Sequence, residues 1–423
     1  MKKSLIALAV AGTFAVPSAA MAVDVSFGGE FDLAVESFDN GDKSVNQMNN
    51  THSRFWWDMV DDLGTGLMVK GHLELDVGAN GYHGGGGANC GLGGTNCNGT
   101  SINNRNSYVG LAGESWGEVR FGTQENIHEA TGYAVDPFHG AAGPGGNIVN
   151  GMGQSGIAGR SVVFNGSNIG ARRTDSTITY ISPNWGGFTF QVDYALEGPT
   201  GTGRSSLPGA IGVSEKWTEL FYGARFDAAT SFGGWRIYAA AADISNGDLS
   251  ASAGLITPGL ANDTSDSGVR AGGGITFGNF AVDFIWETNE WDSQSAGGVK
   301  VEREGYWIGG SWMIPTGKLA FGYIAMDDYD LQGQKCDGAG LIGLPGTTAG
   351  TSCATTNIAV GYYHTLSANS NLYIIYNKMD NDDLAAGQIQ NGTTNNANVD
   401  ALLGLNGWGA DPSAISLGMY LVF

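Results

Sequence analysis

The sequence predicts an all-β fold: a transmembrane antiparallel β-barrel of about sixteen strands. Three observations lead there. Apolar and polar residues alternate in one strand-length stretch after another. Short turns alternate with long connections along the chain. After an export-type leader, no run approaches the ~18 apolar residues that a membrane helix needs.

The leader comes first. Lys2 and Lys3 precede an apolar segment over 5–16, and Ala20-Met21-Ala22 follows as a small-residue cleavage site. Cleavage after Ala22 is expected, which makes 1–22 a signal peptide and 23–423 a single barrel domain. Gly supplies 70 of 423 residues, well above the ~7% of ordinary proteins, and suits tight turns and crowded barrel walls. Without Lys2 and Lys3, 18 basic residues face 41 acidic ones, a formal charge of −23. Such a surface disfavours nucleic acid as a partner, although charge alone decides nothing about the fold.

The first strand alternates Val25, Phe27, Gly29, Phe31, Leu33 and Val35 with Asp24, Ser26, Gly28, Glu30, Asp32 and Glu36. The last, over 415–423, places Ile415, Leu417, Met419, Leu421 and Phe423 on one face. A strand of ~9–11 residues with one apolar face can cross a bilayer only if both edges are paired, because lipid offers the backbone no hydrogen bonds. The two ends are therefore expected to meet and close the barrel. Between them, period-2 stretches fall at 54–59, 67–77, 105–111, 117–122, 173–181, 188–195, 219–227 and 235–242. The pattern continues at 268–277, 280–287, 302–313, 319–326, 357–364 and 372–379.

Turn residues cluster at 61–66, 113–116, 182–187, 230–234, 278–279, 315–317 and 367–370, each rich in Gly, Pro, Asn or Ser. Long connections are expected at 39–52, 78–104, 124–172, 196–217, 244–267, 288–301, 327–356 and 380–412. The inferred outer face carries Trp57, Leu73, Tyr222, Trp235, Phe284, Tyr306, Trp312 and Tyr376, as an aromatic-girdled lipid face requires. The opposite face carries Arg54, Asp58, Lys70, His72, Glu74, Asp76, Arg105, Glu118, Arg120, Arg173, Asp193, Arg236 and Asp283. Unpaired ions in a dry core cost several kcal/mol each, so this interior holds water, and a water-filled barrel is a channel.

Several motifs make the chain resemble the general diffusion porins of Gram-negative outer membranes, the trimeric sixteen-strand type. They are Asp61-Asp62-Leu63-Gly64-Thr65-Gly66-Leu67, Asn104-Arg105-Asn106-Ser107-Tyr108-Val109-Gly110-Leu111 and Trp116-Gly117-Glu118-Val119-Arg120-Phe121-Gly122. Arg173-Thr174-Asp175-Ser176-Thr177-Ile178-Thr179-Tyr180, Ser182-Pro183-Asn184-Trp185-Gly186-Gly187-Phe188 and the terminal Phe423 complete the set. The resemblance implies a homotrimer in outer-membrane lipid and lipopolysaccharide, with one pore per subunit and a third loop folded into the pore as a constriction. It also implies an assembly machine that reads the terminal strand with Phe423.

If the third connection folds inward, Glu125, Glu129 and Asp136 become its acidic side, facing a basic wall of Arg54, Lys70, Arg105, Arg120 and Arg173. Opposed charges across water set up a transverse field that favours dipolar solutes and excludes apolar ones. The near balance of signs predicts modest cation preference in the passage of small hydrophilic solutes and ions. A solute-specific channel is the rival reading, with Trp56, Tyr238 and Tyr373 as lumen aromatics. No nucleophile motif supports a hydrolase, and no cofactor or metal is expected. Of the three possible cysteine pairings, Cys90–Cys97 and Cys336–Cys353 close the shortest loops and are expected as disulfides. Gly338-Ala339-Gly340-Leu341-Ile342-Gly343 matches a dinucleotide fingerprint only as a string, since it follows no βαβ strand. Acidic outer positions such as Asp327, Asp328 and Asp330 offer carboxylate oxygens to divalent cations.

Overall fold

The computed structural model describes residues 23–39, 44–50, 52–78, 102–138, 173–196, 217–246, 264–293, 299–328, 330–331, 334–335, 352, 354–382 and 411–423. Its strands are β1 (Asp24–Asp39), β2 (Ser44–Asn50), β3 (Arg54–Asp62), β4 (Leu67–Val77), β5 (Ile102–Gly113), β6 (Gly117–Glu125), β7 (Arg173–Ile181) and β8 (Phe188–Ala195). Then come β9 (Trp217–Thr230), β10 (Gly233–Asn246), β11 (Thr264–Phe277), β12 (Phe280–Ser293), β13 (Val299–Ile314) and β14 (Gly317–Met326). After these follow β15 (Asp330–Leu331), β16 (Gln334–Lys335), β17 (Thr355–Ser367), β18 (Ser370–Asn381) and β19 (Ser413–Val422). The one described helix, α1 (Ile127–Tyr133), follows β6.

The nineteen strands make sixteen staves. β2 and β3 share one stave, since β1 pairs with β3 over 24–30 and with β2 over 33–39. β15 and β16 form a small hairpin against β13 and add no stave. All neighbours are antiparallel, and β1 pairs with β19 from Glu30 opposite Val422 to Asp39 opposite Ser413. Closure therefore leaves no stave without partners on both sides among the described residues, as a hydrocarbon environment demands. Where the ends meet, the Gly29 and Phe423 backbones donate to each other at 3.0 Å. The Phe423 ring joins Phe27, Phe31 and Phe55, with centroids about 6 Å away.

The two faces invert the usual globular pattern. Val25, Phe27, Val109, Phe121, Tyr222, Ile237, Ile275, Phe284, Ile308 and Leu417 are exposed on the outside, while Glu30, Asp32, Glu36, Glu74, Arg105, Asp193, Arg270, Asp283 and Glu287 are buried inside. An apolar exterior over a charged interior is stable only with lipid outside.

Strand boundaries follow the alternation closely at β4, β7 and β8, and most other strands run one to six residues further than expected. Two connections expected to be long are largely strand instead. Ser44–Asn50 forms β2, and β12 and β13 extend to Ser293 and from Val299. These extensions lie towards the outer rim, where the outward side meets water. Ser44–Asn50 has its two apolar residues, Val45 and Met48, at positions of opposite parity, so no apolar period marks it, and pairing with β1 makes it a strand.

Candidate functional site

Two β-bulges shape the inner wall of β3 to β7. Between Leu73 and Leu75 of β4, β5 fits one extra residue around Arg105 and Asn106. Between Gly122 and Gln124 of β6, β7 fits an extra residue at Ser176, whose φ of 54° lies in the left-handed region. A bulge resets the in/out parity beyond it and re-aims side chains. Thr174 and Thr177 are thus both buried despite their odd spacing. Gly122 permits the close crossing here: its φ is +149°, and an added Cβ would stand 2.1 Å from the Ser107 carbonyl oxygen.

Arg105 and Arg173, re-aimed in this way, enter a dense network. Arg105 Nε donates to Glu74 Oε1 at 2.8 Å, and its Nη1 donates to Asp76 at 3.4 Å. Arg54 shares Glu74 Oε1 at 2.9 Å and lies 3.0 Å from Glu30. Lys70 and Arg120 both donate to Glu118, at 3.0 and 2.6 Å. Arg173 donates to Glu125 at 2.6 Å. His72 lies 2.7 Å from Asp58 and stacks on Tyr108, whose ring also carries the Arg120 guanidinium at 4.3 Å. The side chains of Lys70, Arg54 and Arg120 are 34%, 22% and 26% exposed, so this wall stays partly solvated.

The opposite wall is covered by the start of the third connection. Asn126 caps α1 by accepting from the Glu129 N–H at 2.8 Å, and Asp193 of β8 accepts from the Ile127 N–H at 2.9 Å. A carboxylate at this helix end also meets the positive end of the helix dipole. Ile127 packs into Phe221, Ala240, Ala242 and Ile244 of β9 and β10. Beyond α1, Val135 packs with Tyr238, Ile285, Trp307, Ile324 and Met326. Four donors from four staves then hold the backbone. Arg270 Nη1 donates to the His128 carbonyl at 2.7 Å, Arg236 to that of Ala134 at 3.2 Å, Lys318 to that of Pro137 at 2.7 Å and the Tyr363 hydroxyl to that of Phe138 at 3.1 Å.

Charge on this side is paired, and driest beneath α1. Arg270 and Glu287 are both 0% exposed, with Nε donating to Oε2 at 2.7 Å, and Arg236 forks onto Asp283 at 2.6 and 2.8 Å. His128 is fully buried above Arg270; burial first, then the Arg270 charge, pulls its pKa down to about 3, so it docks neutral. Burial pushes the neighbouring Glu129 carboxyl upwards, against the pull of Arg173.

The expected site residues fall into place unequally. Arg54, Lys70, Arg105, Arg120 and Arg173 share one wall, but their counter-ions are chiefly carboxylates of that wall. Glu125 is the last residue of β6 rather than a loop residue. Glu129 is 2% exposed within α1, where the Arg173 and Arg105 charges act on it, so it meets that arginine pair buried rather than across open water. Asp136 sits apart from both, its charge acting on Lys318 of β14. Tyr238 and Tyr373 do face inward, but Val135 and Phe138 pack with them, so they present little surface to a solute. Arg270, Lys318 and Tyr363 were not singled out from sequence, and Arg236 only as one inward charge among many. Their inward parity was readable, but their carbonyl partners on 128–138 were not. Cys90, Cys97, Cys336 and Cys353 lie outside the described residues, as do 139–172 of the third connection.

The family model of the Gram-negative porins matches residues 7–384. An outer membrane porin protein of Bordetella pertussis is 30% identical over 216 residues, 46% of this chain and 48% of that protein, so the match spans about half of each. Among solved structures, an anion-selective porin from Comamonas acidovorans superposes with a TM-score of 0.67 at 19% identity, covering 95% of this chain and all of that one. The trimer form of OmpT from Vibrio cholerae gives 0.56 at 14% identity, over 95% of this chain and 100% of its own. Salmonella typhi OmpF gives 0.54 at 13%, over 94% and 97%. At these identities the structures speak for the fold, and the family match speaks for membership: the chain belongs to the Gram-negative porin family, proteins of the outer membrane.

Proposed function

We propose that the barrel is a water-filled channel for passive diffusion of small hydrophilic solutes and ions, and that solutes pass between the β3–β7 wall and the segment 126–138. The carrying observation is the partly solvated ion-pair network on that wall. Charges kept this wet are compatible with a permeating aqueous path, and opposed charges at close range orient dipolar solutes while excluding apolar ones. On this reading Arg54, Lys70, Arg105, Arg120, Arg173 and Glu125 line the constriction, with Glu129 and Asp136 setting the field from the inward segment.

Ion preference follows from how the charges are matched. Each of these basic groups contacts a carboxylate of its own wall or rim, while Asp32, Glu36 and Asp58 add further negative charge on β1 and β3. Modest cation preference is the expected outcome, weakening with salt as exposed charges are screened within ~8 Å at physiological ionic strength.

The trimer form of a fold relative supports a homotrimer with one pore per subunit. The exposed Phe423 on the outer row fits a signal for barrel assembly machinery, and the acidic rim fits contact with lipopolysaccharide through divalent cations. Single-channel recording in a planar bilayer tests the main reading. Stepwise ohmic currents, with closures in groups of three, are expected. Purified, folded protein that inserts without conducting would refute it.

A further inference from the structure

Phe138 ends the described part of the inward segment, and its ring is 1% exposed. It packs among Ala34 of β1, Ala320 of β14, Ala359 and Tyr363 of β17, and Tyr373 and Ile375 of β18. Gly322 and Gly361 complete the hollow: a Cβ added at either would meet the Phe138 ring, at 3.3 and 3.2 Å. Further along β14 the inward positions are large, as at Ile324 and Met326. The small residues are therefore grouped where the ring enters. The backbone is fixed at the same place by Tyr363 and Lys318 on the Phe138 and Pro137 carbonyls, and by the Phe138 N–H donating to Asp136 at 2.9 Å.

We propose that Phe138 is a positioning residue that sets the cross-section of the channel: keyed into this hollow, its ring holds 134–138 against β14, β17 and β18 and so fixes the size limit for solutes. The inference rests on the channel reading and deepens it. A clamp hydrogen bond that opens is replaced by one to water, whereas a seated ring has no equivalent partner in an aqueous lumen. Its removal exposes the apolar hollow without changing any charge.

The test compares Phe138→Ala, Phe138→Leu and Gly361→Val with the full-length wild type, each confirmed as a folded barrel by heat-modifiable gel migration. Conductance in planar bilayers and the exclusion limit for neutral sugars in liposome swelling are measured. Phe138→Ala should raise conductance and shift the limit to larger sugars, and Phe138→Leu should keep most of the wild-type limit. Gly361→Val overfills the hollow, so it should evict the ring and reproduce Phe138→Ala. The double variant should go no further than either alone. Folded Phe138→Ala or Gly361→Val with the wild-type limit overturns the proposal, and so do additive effects in the double variant. A wild type that does not conduct would instead sink the channel reading itself. Should Phe138→Ala fail to fold, Gly361→Val and Phe138→Leu carry the same decision.

Discussion

The wall built by β3 to β7 and the wall built by β8 to β18 both face the lumen and both carry ion pairs, yet the pair under α1 on the second is fully dry while the clustered pairs of the first stay partly wet. Lys70 and Arg120 keep 34% and 26% of their side chains exposed, while Arg270 and Glu287 keep none. The covered wall also gathers the inward aromatic and aliphatic residues, Tyr238, Ile285, Trp307, Tyr363 and Tyr373. The same barrel parity thus yields two kinds of interior. What separates them is the segment 126–138, which packs over the second wall and reaches the first only where the Glu129 charge acts on Arg105 and Arg173. Charge on the covered side holds that segment in place; charge on the open side is what a solute would meet on the proposed reading.

Breaking one pair on each wall sharpens this contrast most. Glu287→Gln leaves the Arg270 charge buried without its counter-ion and should cost ~3–5 kcal/mol, as uncompensated buried charges do. Equilibrium urea titrations of folding into lipid vesicles measure it. A loss below that of a surface pair would mean water reaches β11 and β12 under α1.

Next in size is the lipid side of the covered wall. Phe284 is 46% exposed on the outside of β12, next to inward Asp283. Phe284→Arg should cost ~2–4 kcal/mol near the bilayer midplane, measured in the same titration. Tolerance of the arginine would place this face away from lipid.

The pH dependence of α1 tests the cover itself. His128 docks neutral with its pKa lowered to about 3, against 6.5 when released, and it faces Arg270 and Glu287. Because the docked value is the lower one, docking is strongest above pH 6.5 and weakens as pH falls towards 3, by ~1.4 kcal/mol per unit. Open-channel current noise should grow over that window in the wild type and much less in His128→Gln. Identical profiles would remove His128 as the cause.

The smallest effect belongs to the open wall. Glu118→Gln removes the partner of Lys70 and Arg120 and should cost well under the Glu287→Gln value, because both released cations keep a third to a quarter of their side chains in water. A loss as large as that of Glu287→Gln would erase the distinction between the walls.

Much of this was legible in the sequence. The alternation at 67–77, 173–181 and 188–195 located strands to the residue, since lipid outside and water inside write a period of two into the chain. Polar stretches such as Ser44–Asn50 escaped because strands above the bilayer obey no such rule. The candidate site was only half legible. Arg54, Lys70, Arg105, Arg120 and Arg173 were all read as inward and are, but the bulges around Arg105 and Ser176 that aim two of them were marked by no sequence signal. Asp283 shows the same limit: it is inward as expected, yet 2% exposed and held by Arg236, so parity alone does not make it a solute contact. Which inward residues meet solute depends on where 126–138 lies, and that is fixed by contacts distant in sequence, such as Lys318 with Pro137 and Tyr363 with Phe138.

The measurement that bears most directly on the open, charge-matched wall is the reversal potential of single channels under a salt gradient. The wild type should show modest cation preference that shrinks as salt rises. Arg105→Ser with Arg173→Ser strips the counter-charges from Glu74, Asp76 and Glu125 and should strengthen that preference, whereas Glu125→Gln releases Arg173 and should move the potential towards anions. A wild-type channel that prefers anions, or one whose reversal potential ignores all three substitutions, would contradict the assignment of the β3–β7 wall as the path that ions follow.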